Sequence, residues 1–371
     1  MTPDCLCLSE INAFTMFTVK NDSILSFIDT MNCDGPLHKS PLRHGLAPPN
    51  LFCLSKITPL VWTRIIQTAA KTMNLKLLVD LDNTLVHSTD ASLPLIDGTF
   101  RCIVNSKIFT TKVRPFAAKF LENMSQYYEL YVVTLGDPTY ANEVVNFLDP
   151  TSKLFGNRII TRRELGTTLT SMALKKNYFE KDLERSVILD DRGNVWGDID
   201  NVVKIKPFNY FRDKDVNDFL QNPTSESANE DNVLKHLEPV LINVYERYQR
   251  QLEEIGEMVN MKEVIAGYRR EVLQGIRVAL CGNFTESVYR VLRRFGAVVD
   301  DKLNDKSTVV IGTHVESSVC SAAKDLDIPV VTIDWLGQVN TTWTIPKYSD
   351  FTLTKDSQMI SWTILCGLSI D

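Results

Sequence analysis

Lys76-Leu-Leu-Val-Asp-Leu-Asp-Asn-Thr-Leu-Val-His87 is the stretch that decides how the rest of the chain is read. Leu77 to Val79 is an apolar run and reads as a buried strand. It ends in Asp80, Asp82 and Thr84, on alternate residues. Two carboxylates at the mouth of a buried strand are costly unless a cation sits between them. A hard divalent cation such as Mg²⁺ suits that place, because it takes oxygen ligands and keeps waters for a phosphate. The bland reading is a solvated turn after a strand, where Asp and Thr are common. What weighs against it lies downstream.

A second carboxylate pair follows another apolar run. Ser186 to Leu189 reads as a buried strand and ends in Asp190-Asp191-Arg192-Gly193. Between the two lies Tyr131-Val-Val-Thr-Leu-Gly136, an apolar strand ending in a hydroxyl and a glycine. Three strands that each deliver polar groups at their carboxyl ends suit an open parallel α/β sheet, where ligands bind outside those ends.

Asp-x-Asp-x-Thr after an apolar strand is the opening motif of the haloacid-dehalogenase-like phosphotransferases. More specifically, the chain resembles the TFIIF-stimulated RNA polymerase II C-terminal-domain phosphatases, which carry a BRCT domain. The matching phrases are Val79 to His87, Val113-Arg-Pro115, Tyr128-Glu-Leu-Tyr131, Phe147-Leu-Asp-Pro150, Lys153-Leu-Phe-Gly156, Arg158-Ile-Ile-Thr-Arg162 and Leu189-Asp-Asp-Arg-Gly-Asn-Val-Trp196. The last separates this branch from the small phosphatases of the superfamily. The resemblance implies an α/β fold: a haloacid-dehalogenase-like parallel sheet domain, then a helical segment and a small α/β BRCT domain. The expected divisions are a loop-rich N-terminal extension over 1–74, a catalytic domain over 75–220, a linker and helical segment over 221–272, a BRCT domain over 273–353 and a tail over 354–371.

Composition agrees with that organisation. With 371 residues, 44% of them hydrophobic, the chain can bury more than one core. A net charge of −6 argues against direct nucleic-acid binding, which needs a basic face. No apolar run reaches membrane-spanning length, and Met1 to Glu10 lacks a signal-peptide pattern, so no membrane partner is expected. Eight cysteines without a C-x-x-C pair speak for free thiols in a reducing compartment, not for zinc or disulfides. The resemblance places the chain in the nucleus.

Local patterns fill in the elements. Arg114-Pro115 is expected to open a helix carrying Phe116, Phe120, Leu121 and Met124 on one face. Tyr140 to Leu148 reads as the next helix, stopped by Asp149-Pro150, and Ile199 to Ile205 as a last strand. Phe100 to Val104 and Lys107 to Thr111 suggest a small hairpin beside the first loop, and Ile57 to Met73 a helix. Leu234 to Ile255 has helical periodicity, after a polar linker over Gln221 to Asp231. In the BRCT-like part, strands are expected at Arg277 to Leu280, Val298-Val299, Ser307 to Ile311 and Pro329 to Ile333. Helices are expected at Glu286 to Phe295 and Ser317 to Lys324, with a last one opened by Asp334-Trp335, whose indole reads as a core anchor.

The resemblance also assigns roles. Asp80 is the nucleophile that forms an aspartyl-phosphate. Asp82 protonates the leaving serine oxygen and later activates water, and its backbone carbonyl is a Mg²⁺ ligand. Asp80, Asp82 and Asp191 together hold the metal. Thr84 orients Asp82, Asp190 accepts a hydrogen bond from a metal-bound water or a nearby cation, and Thr134 donates to a phosphate oxygen. The partner implied is the phosphorylated RNA polymerase II C-terminal domain. TFIIF is a second, although the acidic C-terminal tail that would contact it is absent. His87 is given no role, Trp196 is expected to pack as a lid over its loop, and Arg192 to make an ion pair.

Two places depart from the pattern. A lysine is expected about 17 to 19 residues before the Asp pair, where it contacts phosphoryl and nucleophile; that count lands on Ser171, Met172 and Ala173, and the nearest lysines are Lys175 and Lys176. Neighbours on a helix point about 100° apart, so at most one can face the site. After Gly136, Asp137-Pro138 stand where the family places a hydroxyl and then a basic residue. Both changes lower the local positive potential. They keep alive a second reading, a weakened paralogue that binds phosphorylated repeats without efficient hydrolysis. A small-molecule phosphatase is disfavoured by the BRCT-like part. In that part the phosphopeptide positions would fall on Cys281, Gly282 and Lys324, with a thiol standing in for a hydroxyl donor.

Overall fold

The computed structural model describes residues 74–90, 93–166, 174–197, 199–211, 231–255, 259–355 and 357. The helix expected over Ile57 to Met73 and the rest of the N-terminal extension lie outside the described residues, as do the linker before Asp231 and most of the tail.

The central sheet grows around the opening motif. β1 (Lys76–Val79) is flanked by β5 (Glu129–Val133) and β7 (Ser186–Asp190), with β6 (Ile159–Ile160) and β8 (Val202–Lys204) at the edges, in the order β6-β5-β1-β7-β8. All four pairings are parallel. Register decides the site: Val79 lies opposite Val132 on one side and Leu189 on the other, so Asp80, Val133 and Asp190 come next in line. Every residue of β7 is buried, as expected for a strand covered on both faces.

β2 (Val86–Thr89), β3 (Thr99–Val104) and β4 (Lys107–Val113) form a three-stranded antiparallel sheet in the order β2-β4-β3. The sequence suggested a hairpin. The third strand is the mixed stretch Val-His-Ser-Thr, whose polar residues hid its pairing with β4.

α1 (Ala117–Met124) begins later than Arg114-Pro115 implied, because Phe116 takes a left-handed conformation at φ 70° just before it. α2 (Pro138–Leu148) uses Pro138 in its first turn and ends at Asp149, whose carboxylate collects the amides of Lys153, Leu154 and Phe155. Two short helices follow, α3 (Arg162–Leu165) and α4 (Leu174–Tyr178). β8 is only three residues of the expected strand; just before it, Asn201 accepts from the Ile188 amide of β7 and its side-chain amide donates to the carbonyls of Leu183 and Ser186.

α5 (Val233–Ile255) packs against α1, and the Tyr128 hydroxyl donates to the Leu241 carbonyl at 2.7 Å. At the start of α5, Arg114 is clamped. Its guanidinium donates to both oxygens of Asp231 at 3.0 Å and to the Thr84 carbonyl at 3.1 Å, and it is 1% exposed. Arg114 thus ties the loop after β1 to a residue 117 positions away. Breaking a buried pair from one side leaves an uncompensated charge. Arg114→Ala is therefore expected to cost about 3–5 kcal/mol in urea unfolding; a loss below about 1 kcal/mol would mean the pair is bystander geometry.

α6 (Met261–Val272) leads into a second parallel sheet of β9 (Arg277–Cys281), β10 (Val298–Asp300), β11 (Val309–Gly312) and β12 (Val330–Val331), ordered β10-β9-β11-β12. α7 (Glu286–Arg294), α8 (Ser318–Asp325) and α9 (Asp334–Thr342) accompany it. Trp335 is fully buried, as its reading as a core anchor requires. Arg269, on α6, is 3% exposed and donates to the Val202 carbonyl of β8 at 2.8 Å. Its guanidinium carbon also lies 4.7 Å from the Trp343 ring centroid.

Candidate active site

Asp80 and Asp190 stand side by side because β1 and β7 run parallel in that register. Lys175 bridges them: its Nζ donates to Asp80 Oδ1 and to Asp190 Oδ2, both at 2.7 Å. Relative exposure is 0% for Lys175, 3% for Asp80 and 0% for Asp190. Burial works against the lysine's charge, but the two carboxylates and their hydrogen bonds outweigh it and hold the amine above its usual range. Asp80 is pushed well above the usual carboxylate range, by burial first, with Lys175 opposing and Asp190 and Asp82 reinforcing. Lys176, the neighbouring candidate, is partly exposed on α4 and makes no hydrogen bond or ion pair to these carboxylates. The helix turns it away, so the two-lysine expectation narrows to Lys175.

Asp190 is held by three protein donors. Oδ2 also accepts from Trp196 Nε1 at 2.8 Å, and Oδ1 from the Arg192 amide at 2.8 Å. Trp196 packs as expected, but its indole N–H also fixes a carboxylate, and the Lys175 amine lies 5.6 Å from its ring centroid. Asp191 differs. Its Oδ1 is buried with no hydrogen-bond partner, and burial followed by the Asp190 charge raises its carboxyl to about 6. Asp80, Asp190 and Asp191 each offer an oxygen, and these lie within 4.8 Å of one another. Four carboxylates, counting Asp82, face the cations Lys175 and Arg192, which leaves a deficit of positive charge that a divalent ion would fill. The residues therefore fit Mg²⁺, with the orphaned Asp191 oxygen as the clearest candidate for a ligand bond.

Asp82 is held apart from this group. Tyr140 donates its hydroxyl to Asp82 Oδ1 at 2.6 Å, and Tyr140 in turn meets Ser88 Oγ at 2.7 Å. Burial, ahead of the opposing Tyr140 hydrogen bond and Arg192 charge, raises the Asp82 carboxyl. The sequence showed Tyr140 only as a helix residue; its reach to Asp82 is a tertiary contact. Thr84, expected to orient Asp82, instead has a buried hydroxyl without a partner. Tyr140 does that orienting. The loop itself turns on the Leu81 carbonyl, which accepts from the amides of Thr84, Leu85 and Val86, with Asn83 left-handed at φ 62°.

Thr134 is 1% exposed, and its hydroxyl accepts from the Gly136 amide at 3.0 Å. Space over Gly136 is tight: a Cβ there would meet Thr134 Oγ1 at 3.2 Å and Tyr140 at 3.3 Å. Asp137, the departure from the family pattern, caps α2 through the Thr139 amide and pairs with Arg162. That backbone hydrogen bond is the first cause holding its carboxyl below the usual carboxylate range.

The candidate phosphopeptide positions Cys281, Gly282 and Lys324 lie on and beside the second sheet. Cys281 is 7% exposed; its thiol meets Ser317 Oγ at 2.8 Å and Cys320 Sγ at 3.8 Å. The space over Gly282 is filled by Thr313, whose side chain stands where a Cβ would have to go. Lys324 is exposed on α8, and its charge acts on Cys320, the neighbour of Cys281.

Comparison with known proteins places these features. The profile of the NLI interacting factor-like phosphatases matches residues 75–249, and that of the BRCA1 C Terminus (BRCT) domain matches residues 269–339. An RNA polymerase II C-terminal domain phosphatase of Caenorhabditis elegans is 31% identical over 304 residues, 76% of this chain and 46% of that protein. The protein of the same description from Homo sapiens is 33% identical over 150 residues, 39% of this chain and 16% of that one. The chain thus spans less than half the length of these curated relatives. The solved structure of Fcp1, described as an essential RNA polymerase II CTD phosphatase, superposes with a TM-score of 0.62 at 26% identity, covering 78% of this chain and 100% of that one. A variant of the fission yeast enzyme bound to beryllium fluoride superposes with 0.61 at 23% identity, over 79% and 100%, and attests the fold. With the phosphatase sheet, the BRCT sheet and the acidic loops in this order, the chain carries an NLI interacting factor-like phosphatase domain followed by a BRCT domain, and is similar in both to the RNA polymerase II C-terminal-domain phosphatases.

Proposed function

We propose that the chain is a Mg²⁺-dependent protein serine/threonine phosphatase that dephosphorylates the heptad repeats of the RNA polymerase II C-terminal domain. The observation that carries this reading is Lys175, bridging Asp80 and Asp190 at 2.7 Å beside the orphaned oxygen of Asp191. A decayed site would have little reason to keep a fully buried ammonium aimed at the nucleophile.

Asp80 attacks phosphorus, and the bond from phosphorus to the serine oxygen breaks as Asp82 delivers its proton to that oxygen. Burial raises the Asp82 carboxyl, which suits an acid, and Tyr140 fixes its orientation. In the second half Asp82 takes a proton from water, the water oxygen bonds to phosphorus, and the bond to Asp80 breaks, releasing inorganic phosphate. Lys175 holds Asp80 in place and offers charge to the transferring group. Asp80, Asp191 and the Asp82 backbone carbonyl would hold Mg²⁺, which supplies neutralisation between Asp80 and the phosphate. Asp190, held by the Trp196 indole and the Arg192 amide, supports the lysine. The same reading makes the phosphorylated repeats the partner and the nucleus the compartment, with TFIIF as a further partner on the resemblance alone.

Turnover of a phosphoserine heptad peptide is expected to fall at least about tenfold in excess chelator and to return with Mg²⁺. Mg²⁺ without substrate is expected to raise the melting temperature, since it binds only the folded chain. Full activity in chelator would remove the metal from the mechanism. Tight peptide binding without turnover at saturating Mg²⁺ would favour the non-hydrolysing paralogue.

A further inference from the structure

The three-stranded sheet carries a row of hydroxyls that ends at the acid. Tyr140 donates to Asp82 Oδ1 at 2.6 Å and meets Ser88 Oγ at 2.7 Å. Ser88 Oγ meets Thr111 Oγ1 at 2.8 Å, and Thr111 Oγ1 meets the Cys102 thiol at 3.6 Å. Ser88 on β2 and Thr111 on β4 are register partners, and Cys102 belongs to β3, so each strand of the sheet supplies one member. Thr111 and Cys102 are fully buried. We propose that Ser88 and Thr111 are positioning residues for the acid: acting through Tyr140, they fix Asp82 Oδ1 as an acceptor and so place the acid's proton on Oδ2. The inference rests on the phosphatase reading and adds a control on its proton transfer.

Counting hydrogens gives the row its direction. Each hydroxyl has one to give. Tyr140 gives its own to Asp82, so the hydrogen between Tyr140 and Ser88 comes from Ser88. Ser88 then has none left for Thr111, and Thr111 supplies that one. Thr111 in turn accepts from the thiol. Both ends favour this sense, because a carboxylate is the strongest acceptor in the row and sulfur a weak one. Hydrogen bonds in series polarise one another, so each upstream bond firms the one at Asp82. An oxygen committed to accepting from Tyr140 is a poor seat for a proton. Asp82 Oδ2 has no hydrogen-bond partner among the described residues. It lies on the side of the Thr134 loop, 3.7 Å from where a Cβ on Gly136 would stand. As the bond from phosphorus to the serine oxygen breaks, the Oδ2 proton passes to that oxygen while Oδ1 keeps its hydrogen bond.

The test uses the whole chain with Mg²⁺ and two substrates that differ in leaving group. The serine oxygen of a phosphoserine peptide needs the acid's proton to leave; p-nitrophenolate leaves without one. The readout is kcat/KM, which covers the steps up to departure of the leaving group. Ser88→Ala and Thr111→Val are each expected to lower the ratio of kcat/KM, peptide over aryl phosphate, about tenfold. Thr111→Ser keeps the hydroxyl and is expected to restore the ratio. A ratio equal to the parent's in both variants, whether the two rates fall together or neither falls, overturns the inference and leaves the phosphatase reading standing. If the parent hydrolyses neither substrate, the phosphatase reading fails instead, and the row is read directly. The ring carbon bonded to the Tyr140 hydroxyl is followed by carbon-13 NMR in tyrosine-labelled chain. Thr111 is linked to Tyr140 by hydrogen bonds only through Ser88, so Thr111→Val is expected to shift that resonance and Thr111→Ser to return it. A resonance indifferent to Thr111→Val overturns the row.

Discussion

Asp80→Asn is expected to lower p-nitrophenyl phosphate turnover by about a thousandfold or more, with the fold intact. The amide has the carboxylate's shape and can still accept from Lys175, but it has no anionic oxygen to bond phosphorus. Stability should not suffer. The Asp80 carboxyl is raised by burial and by the neighbouring Asp190 and Asp82, so removing its charge relieves repulsion in a buried cluster. A melting curve beside the kinetic trace separates the two effects. A rate unchanged in this variant would take the nucleophile's role from Asp80.

Lys175→Ala should be felt in both stability and rate. Two buried carboxylates would lose the cation that both contact at 2.7 Å. Removing one partner of such a buried arrangement costs about 3–5 kcal/mol, measurable in urea unfolding. Turnover should fall about 10²–10³-fold, the usual cost of deleting a donor aimed at developing charge. Should the alanine variant fail to fold, Lys175→Met fills the space without the charge and reads the rate alone. Lys176→Ala is the control, expected within about 0.5 kcal/mol and near parental turnover. If neither lysine matters and the parent is barely active, the chain is a binder.

The strands were the legible part. Leu77 to Val79 and Ser186 to Leu189 are short apolar runs ending in carboxylates, and burial on both faces leaves that mark on a sequence. Asp80, Asp190 and Asp191 could be placed together because parallel strands put their carboxyl ends at one edge. Lys175 could be named only as one of two, since a count along the chain is not a distance: α4 begins where the expected spacing has already run out. Tyr140 and Arg114 escaped for a related reason. Their partners, Asp82 and Asp231, are 58 and 117 positions away, and no local pattern reports such pairs. β2 was missed because Val-His-Ser-Thr has no clean alternation.

Arg269 bears on how the molecule melts. It sits between the edge strand of the phosphatase sheet and the aromatic packing of the BRCT part, and burial ahead of Arg294 lowers its guanidinium to about 9. Pulling the two parts apart would strand that cation between a lost carbonyl and a lost indole. The phosphatase sheet and the BRCT part share that penalty through one side chain. Loosening the BRCT part is therefore expected to loosen the edge of the phosphatase sheet as well, away from its carboxylates.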